Sequence, residues 1–314
     1  MVLNALQTYR RHASPNAIPA QVAALQRALQ EQYGDAVQAV LFYGSCLHEV
    51  AADQGIVDLY LVVDDYRSVH RNLLPALMDR LLPPGVRYLQ ITADDGSVAR
   101  AKYAVFSAAD FVAGTSRRWF HGYLSARMAQ PVAVLYTRDR AAEEQVFTAL
   151  AQAVITVLSR VLPLQGETFC AADLWGQALR LSYASELRTE RPGYVKKILA
   201  RDPEYYQQVL ARAAESLPAV EPAAKEGCYH VRSRASVRLW CRLSWFLRRL
   251  QGKCLSVLRL MKGLYTFQGG LDYIAWKLER HSGRKIVIPE KVHKRPLLYI
   301  WGTAWRLYRQ GVFR

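Results

Sequence analysis

The stretch LFYGSCLHEVAADQGIVDLYLVVDD, residues 41–65, decides how the chain is read. AVQAVLFYG (36–44) and IVDLYLVV (56–63) are short apolar runs with strand composition, separated by a polar loop. Gly44-Ser45 closes the first run, and Asp58 stands thirteen residues after Ser45, inside the second. A glycine lets the backbone approach a phosphate, and a serine hydroxyl beside exposed N–H groups can bind it. A carboxylate on the next strand can hold Mg²⁺ against those phosphates. A lone carboxylate in a buried strand is costly unless paired or bound to metal, so Asp58 is expected to be buried and functional. A second Asp two residues on would complete a two-carboxylate site, but Tyr60 stands there. Asp64 shares the face of Asp58 by alternation yet lies ~20 Å away on a straight strand.

Strand, Gly-Ser, loop and carboxylate strand together outline a nucleotidyltransferase site. The expected fold class is α+β. An N-terminal nucleotidyltransferase domain with a mixed sheet and flanking helices (1–165) precedes a helical domain (166–225). A basic amphipathic C-terminal region follows (226–314). Helical spacing over 19–34 ends at Gly34. A helix is expected over 66–82, with a kink or break at Pro75. VRYLQIT (86–92) and VARAKYAVF (98–106) flank ADDGS and read as a hairpin. One helix is expected across 107–128, then a strand over 131–136 and a helix over 139–162. Beyond 170 no strand pattern is visible before KIVIP (285–289), and PAVEPAAKEG (218–227) reads as a linker.

Charge is unevenly placed. Of 42 Lys+Arg and 26 Asp+Glu, residues 225–314 hold 20 basic and 4 acidic, so the net charge of +16 resides there. Such a block points to a polyanion, either nucleic acid or an anionic membrane surface. Within it, SVRLWCRLSWFLRRLQGKCLSVLRLM (236–261) is a basic amphipathic helix. Leu239, Trp240, Leu243, Phe246, Leu247, Leu250, Val257 and Met261 share a wedge. Arg238, Arg242, Arg249 and Lys253 gather opposite. Two fates fit the wedge: packing on the rest of the protein, or lying in a membrane interface with Trp at headgroup depth. The five cysteines have no metal-type spacing, and free thiols in a reducing compartment are expected. The N-terminus has no apolar signal core, its Arg10-Arg11 pair reads as part of a short surface helix, and no segment is expected to span a bilayer.

A narrower likeness emerges from these residues. FYGSC followed by VDLYLVVDD and His70 resembles the mitochondrial-type phosphatidate cytidylyltransferases, the translocator assembly and maintenance family of CDP-diacylglycerol synthases. There the run is Tyr-Gly-Ser-Gly, then an Asp in an apolar strand, Val-x-Asp and a His. The position of Tyr60 is apolar in that family. AKYAVFS (101–107), WFHGYLSARMAQPVAVL (119–135), LSYASELR (181–188) and RLMKGLYT (259–266) resemble further family segments in the same order. Cys46 replaces a Gly, and Glu186 replaces an Asp.

The resemblance implies that the helical domain (166–225) is winged-helix-like, and it implies a reaction: CTP and phosphatidate give CDP-diacylglycerol and pyrophosphate, with Mg²⁺. It implies a peripheral membrane protein, on the cytoplasmic face of a bacterial inner membrane or the matrix face of the mitochondrial one. Asp58 is the expected metal ligand, with Lys102 screening phosphate charge in catalysis. Tyr43, Gly44, Ser45, Glu186, Arg188 and Lys262 are the expected nucleotide-binding set. A phosphate-monoester acceptor is largely a dianion at neutral pH and needs no general base. Nucleic acid is not the favoured partner. The competing readings are a nucleotidyltransferase acting on RNA or a small molecule, and a non-catalytic polyanion-binding module.

Overall fold

The computed structural model describes residues 2–266 apart from 13–17, 45–46, 48–55, 93–95, 97, 188–192 and 218–219, with residues 292 and 302 beyond. A five-stranded mixed sheet has the order β3-β4-β2-β1-β5. Its strands are β1 (Val37–Tyr43), β2 (Val57–Val63), β3 (Gly85–Thr92), β4 (Val98–Ser107) and β5 (Val132–Thr137). β2 pairs parallel with β4, and the other pairings are antiparallel. The strands are near-continuous apolar runs because both faces are covered. Val40, Phe42, Leu59, Leu61 and Val105 face one cluster, completed by Val22, Leu25 and Leu29 of α2 (Ala20–Tyr33). That helix stops at Gly34, whose φ of 53° few other residues accept. Leu41, Tyr60, Val62 and Phe106 face the larger cluster.

The larger cluster centres on α6 (Arg140–Val161), started by the Asp139 carboxylate accepting the Ala142 N–H. α6 is long and apolar enough to cross a membrane, yet 67% of that window is buried, as in a core helix. α1 (Val2–His12) packs against it with Leu6 fully buried. The expected surface position of α1 is corrected by Arg10, which is 3% exposed and donates to the Met128 and Gln130 carbonyls. The guanidinium caps the end of α5 (Tyr123–Met128), where carbonyls lack helical partners.

Other expectations also change. Pro75 neither kinks nor breaks a helix. It stands in the first turn of α3 (Leu73–Leu81), where its missing N–H costs nothing. The helix expected over 107–128 is two: α4 (Ala108–Thr115), capped by Ser107, and α5. The linker is part of a second, three-stranded sheet ordered β6-β8-β7, from β6 (Thr168–Cys170), β7 (Val220–Pro222) and β8 (Cys228–Val231). Strands of three or four residues are too short to show alternation. Beside them stand α7 (Ala171–Ala184), α8 (Tyr194–Arg201) and α9 (Pro203–Ala214). The expectation of free thiols is corrected as well. Cys170 and Cys228, opposite each other on β6 and β8, form a disulfide. Cys241 and Cys254 are free. KIVIP lies outside the described residues.

The last described helix, α10 (Ala235–Thr266), inverts the commoner fate of an amphipathic helix. Its apolar wedge faces outward. Leu239 and Trp240 are 68% exposed, and Leu243, Phe246, Leu247, Leu250, Val257 and Met261 are exposed too. Its inner stripe is Arg238, Cys241, Trp245, Arg248, Gly252, Leu255, Arg259 and Lys262, at alternating spacings of three and four. A Cβ on Gly252 would stand 2.3 Å from the Ser185 carbonyl oxygen, so only glycine allows this approach. Lys262, 5% exposed, donates to Asp79 Oδ1 at 2.9 Å and to the Leu82 and Pro84 carbonyls at 2.6 and 2.7 Å. Asp79 Oδ2 accepts from His70 at 2.7 Å, and Arg87 lies within 3.3 Å of the His70 ring. Burial lowers the His70 pKa, which keeps the ring neutral so that it donates to Asp79 and accepts from Arg87.

Removing one partner of a buried ion pair strands the other. We therefore expect Asp79→Ala to cost about 3–5 kcal/mol in urea unfolding and to open α10 to proteolysis.

Candidate functional site

The candidate site lies where β1 ends and β2 begins. Register places Tyr43 opposite Asp58, Asp58 beside Lys102 and Lys102 opposite Tyr88, one row across four strands. The larger cluster begins one step further in, at Tyr60. Asp58 is exposed, which corrects the expectation that it is buried. An apolar strand can carry an ionised carboxylate at its open end, where water remains, without the desolvation cost of the interior. Gly44 has φ +104°, and a Cβ there would stand 3.2 Å from Asp58 Oδ2. The chain thus turns away from β1 directly against the carboxylate, in a conformation that favours glycine.

Tyr60 is 4% exposed, with its ring 6.0 Å from Tyr43 and stacked on Phe106 at 6.1 Å. Burial, reinforced by the nearby Tyr123, raises its pKa. A carboxylate in its place would be buried in the core, so the row supports one acidic residue.

Arg127 is a residue the sequence reading quoted but did not single out. It donates to both Glu186 carboxylate oxygens, at 2.5 and 2.6 Å, and its guanidinium lies 4.0 Å from the Tyr123 ring centroid. Burial opposes its charge, but Glu186 and the adjacent tyrosines more than restore it, and its pKa is raised. Glu186, expected in the nucleotide-binding set, is therefore held in a bidentate ion pair with Arg127. Lys262 is likewise corrected. It is bound by Asp79 and two carbonyls at the α3–β3 turn, away from the Asp58 row. His70 belongs to the same anchor. Ser45, Cys46 and Arg188 lie outside the described residues.

A small cleft of about 50 Å³ opens beside Gly44, between the end of β1 and helices α7–α9. Tyr43, Pro131, Tyr183, Tyr194 and Tyr206 line it, with Arg201 and Asp202. Tyr183 donates to Gln130 Oε1 at 3.2 Å. The buried Tyr206 hydroxyl has no hydrogen-bond partner among the described residues. Its aromatic faces, hydroxyl and guanidinium let the cleft offer stacking and hydrogen bonding to the edge of a flat polar ring or a phosphate. No aromatic spacing in the sequence foretold this wall, because its members come from four separate segments.

Among the described residues no group of three His, Cys, Asp or Glu side chains converges on a metal position. Mg²⁺ commonly takes one or two carboxylates and fills its octahedron with water and substrate phosphates. Exposed Asp58, beside the Gly44 turn, fits that mode.

A family model described as phosphatidate cytidylyltransferase, mitochondrial, matches residues 86–237. That range contains Lys102, Arg127 and Glu186, and begins after Gly44 and Asp58. The match bears out the resemblance read from the motifs. No curated protein matches the chain. Among solved structures, a nucleotidyltransferase-like protein from Exiguobacterium sibiricum is similar over 93% of this chain and 91% of its own. Its identity is 10% and its TM-score 0.23, which carries no argument.

If the cleft receives the nucleotide, Tyr206→Phe removes one hydrogen bond and leaves the aromatic wall. We expect CTP affinity to fall about three- to tenfold by calorimetry, with the unfolding midpoint unchanged.

Proposed function

We infer that the chain is an enzyme of the phosphatidate cytidylyltransferase family, which transfers the cytidylyl group of CTP to phosphatidate and releases pyrophosphate. The observation that carries this reading is the family match over residues 86–237. The Gly44–Asp58–Lys102 row, built independently from register, supports it.

In the proposed mechanism, Gly44 lets the triphosphate approach the backbone at the end of β1. Asp58 would hold Mg²⁺, which supplies charge neutralisation at the phosphates when bound. Lys102, one strand over, screens charge on the same row. The Tyr43–Gly44–Tyr206 cleft orients the nucleotide. A phosphatidate phosphate oxygen attacks the α-phosphorus and forms the new P–O–P bond. The α–β bridging P–O bond breaks, and its electron pair leaves with pyrophosphate. The acceptor has a second pKa of about 6 and enters largely ionised, so no residue must take its proton. That accounts for a row with one carboxylate and a buried tyrosine at the second position. Arg127, fixed by Glu186, supports the far side of Tyr60.

We further propose that α10 places the enzyme on an anionic membrane surface. Its outward wedge supports this, as do the exposed Arg242, Arg249 and Lys253 on the same helix. The neighbouring α3 supplies a second apolar ridge, in which Leu73, Leu74, Leu77 and Leu81 are 51–74% exposed. The division proposed is a sheet domain to about residue 165, a helical unit with a small sheet, and a basic membrane-facing region.

Asp58→Ala should abolish CTP- and phosphatidate-dependent pyrophosphate release while leaving the unfolding midpoint intact, because the side chain is exposed. Undiminished turnover removes Asp58 from the mechanism. Leu243→Glu with Leu247→Glu should lower sedimentation with anionic vesicles at least about tenfold, since each inserted leucine contributes roughly 1.5–3 kcal/mol. Unchanged sedimentation excludes the wedge as the membrane contact.

A further inference from the structure

Cations also gather where the α4–α5 connection, the end of α6 and the inner stripe of α10 meet. Arg160 donates to the Trp119 carbonyl at 2.5 Å, Arg248 to the Phe120 carbonyl at 2.9 Å, and Arg259 to the Pro83 carbonyl at 2.8 Å. The Arg248 guanidinium lies 4.4 Å from the Phe120 ring centroid, and that of Arg259 lies 4.5 Å from Tyr123. His121 packs on Trp119 at 4.8 Å, and its Nδ1 is buried without a hydrogen-bond partner.

The three guanidiniums, of Arg160, Arg248 and Arg259, carry positive charge with no ion-pair partner among the described residues. Glu186, the acid that acts on Arg259, is committed to Arg127. Burial, then Arg248 and Arg117, depress the Arg160 pKa to about 10. Burial, then Arg259 and Arg160, depress that of His121 to about 4. Each guanidinium directs one edge to a carbonyl and keeps further N–H donors for something else. Half-buried like charges repel unless an anion joins them.

We propose that Arg160, Arg248 and His121 form a binding site for a phosphate monoester, the headgroup of the acceptor lipid, with Arg259 about three turns further along α10 adding long-range positive charge. The shape of the dianion suits guanidinium forks. In its Nδ1–H tautomer the neutral imidazole donates from Nδ1, which has no partner among the described residues. The site adjoins exposed Phe120 and the root of α10, whose apolar face points outward, so acyl chains attached to the phosphate have an apolar surface to follow. On its inner side, Tyr123 and Arg127 connect it to Tyr60, on the strand face of Asp58. The lipid assignment rests on the cytidylyltransferase reading; the anion site does not.

The test uses the full chain, Arg248→Met and Arg160→Met, with Arg242→Met as a control for charge loss on an exposed face of the same helix. Glycerol 3-phosphate is the soluble probe, read by thermal shift. Phosphatidylcholine vesicles containing phosphatidate, or phosphatidylglycerol at matched zeta potential, are the lipid probe. We expect glycerol 3-phosphate to stabilise the wild type, with about tenfold weaker binding in Arg248→Met and Arg160→Met and none of that loss in Arg242→Met. The preference for phosphatidate vesicles should vanish in the same two variants. The KM for phosphatidate should rise about tenfold in Arg248→Met with the KM for CTP unchanged, and Arg248→Lys should recover part of it. If Arg160→Met does not fold, the half-exposed Arg248 carries the comparison.

Equal binding by Arg248→Met and wild type overturns the site, and so does equal loss in Arg242→Met, which would mean diffuse attraction. Glycerol 3-phosphate binding without preference for phosphatidate vesicles overturns the lipid assignment. A wild type that makes CDP-diacylglycerol but does not bind glycerol 3-phosphate sinks this site and leaves the activity standing. One that binds the probe without turnover keeps the anion site and sinks the activity.

Discussion

The buried contact between Lys262 and Asp79 governs how this molecule presents itself. Desolvating an ammonium and a carboxylate is expensive, and their attraction alone seldom repays it. Here the cost is offset by completeness: Lys262 also bonds two carbonyls, and Asp79 also accepts from His70. Such a cluster tolerates one geometry. It fixes the rotation of α10 about its axis, and Arg259, Arg248 and Trp245 repeat the constraint along the same stripe through carbonyls at Pro83, Phe120 and Arg160. With the polar stripe turned in, the apolar wedge has nowhere to go but outward.

That inversion gives the charge map its meaning. A basic helix with its leucines buried would be an electrostatic patch. A basic helix with its leucines outward is an amphipathic surface suited to an interface of oil and anionic headgroups. The guanidiniums of Arg160, Arg248 and Arg259, which have no ion-pair partner among the described residues, bond to carbonyls at Trp119, Phe120 and Pro83 beneath this surface.

The row itself is economical. One exposed carboxylate, one glycine turn and one lysine stand on three adjacent strands, and the next layer is closed by Tyr60 and Phe106. A site that needed a second acid at position 60 would have to open this core. An acceptor that arrives already ionised removes that need.

Sequence alone determined the sheet, because strands covered on both faces are written as apolar runs and bounded by glycine, proline and polar loops. It joined Gly44 and Asp58, fourteen residues apart, as one candidate site, and the strand register sets the two against each other. It also located the positive charge. Only the tertiary structure decided what those features face. Periodicity reports that a helix has two unlike sides, not which is inside, and in α10 a few buried hydrogen bonds outweighed the apolar stripe. Pairings across long separations were equally invisible: Arg127 with Glu186, Cys170 with Cys228, and the arginines around His121. Each depends on where folded segments meet, and no spacing along the chain encodes that distance.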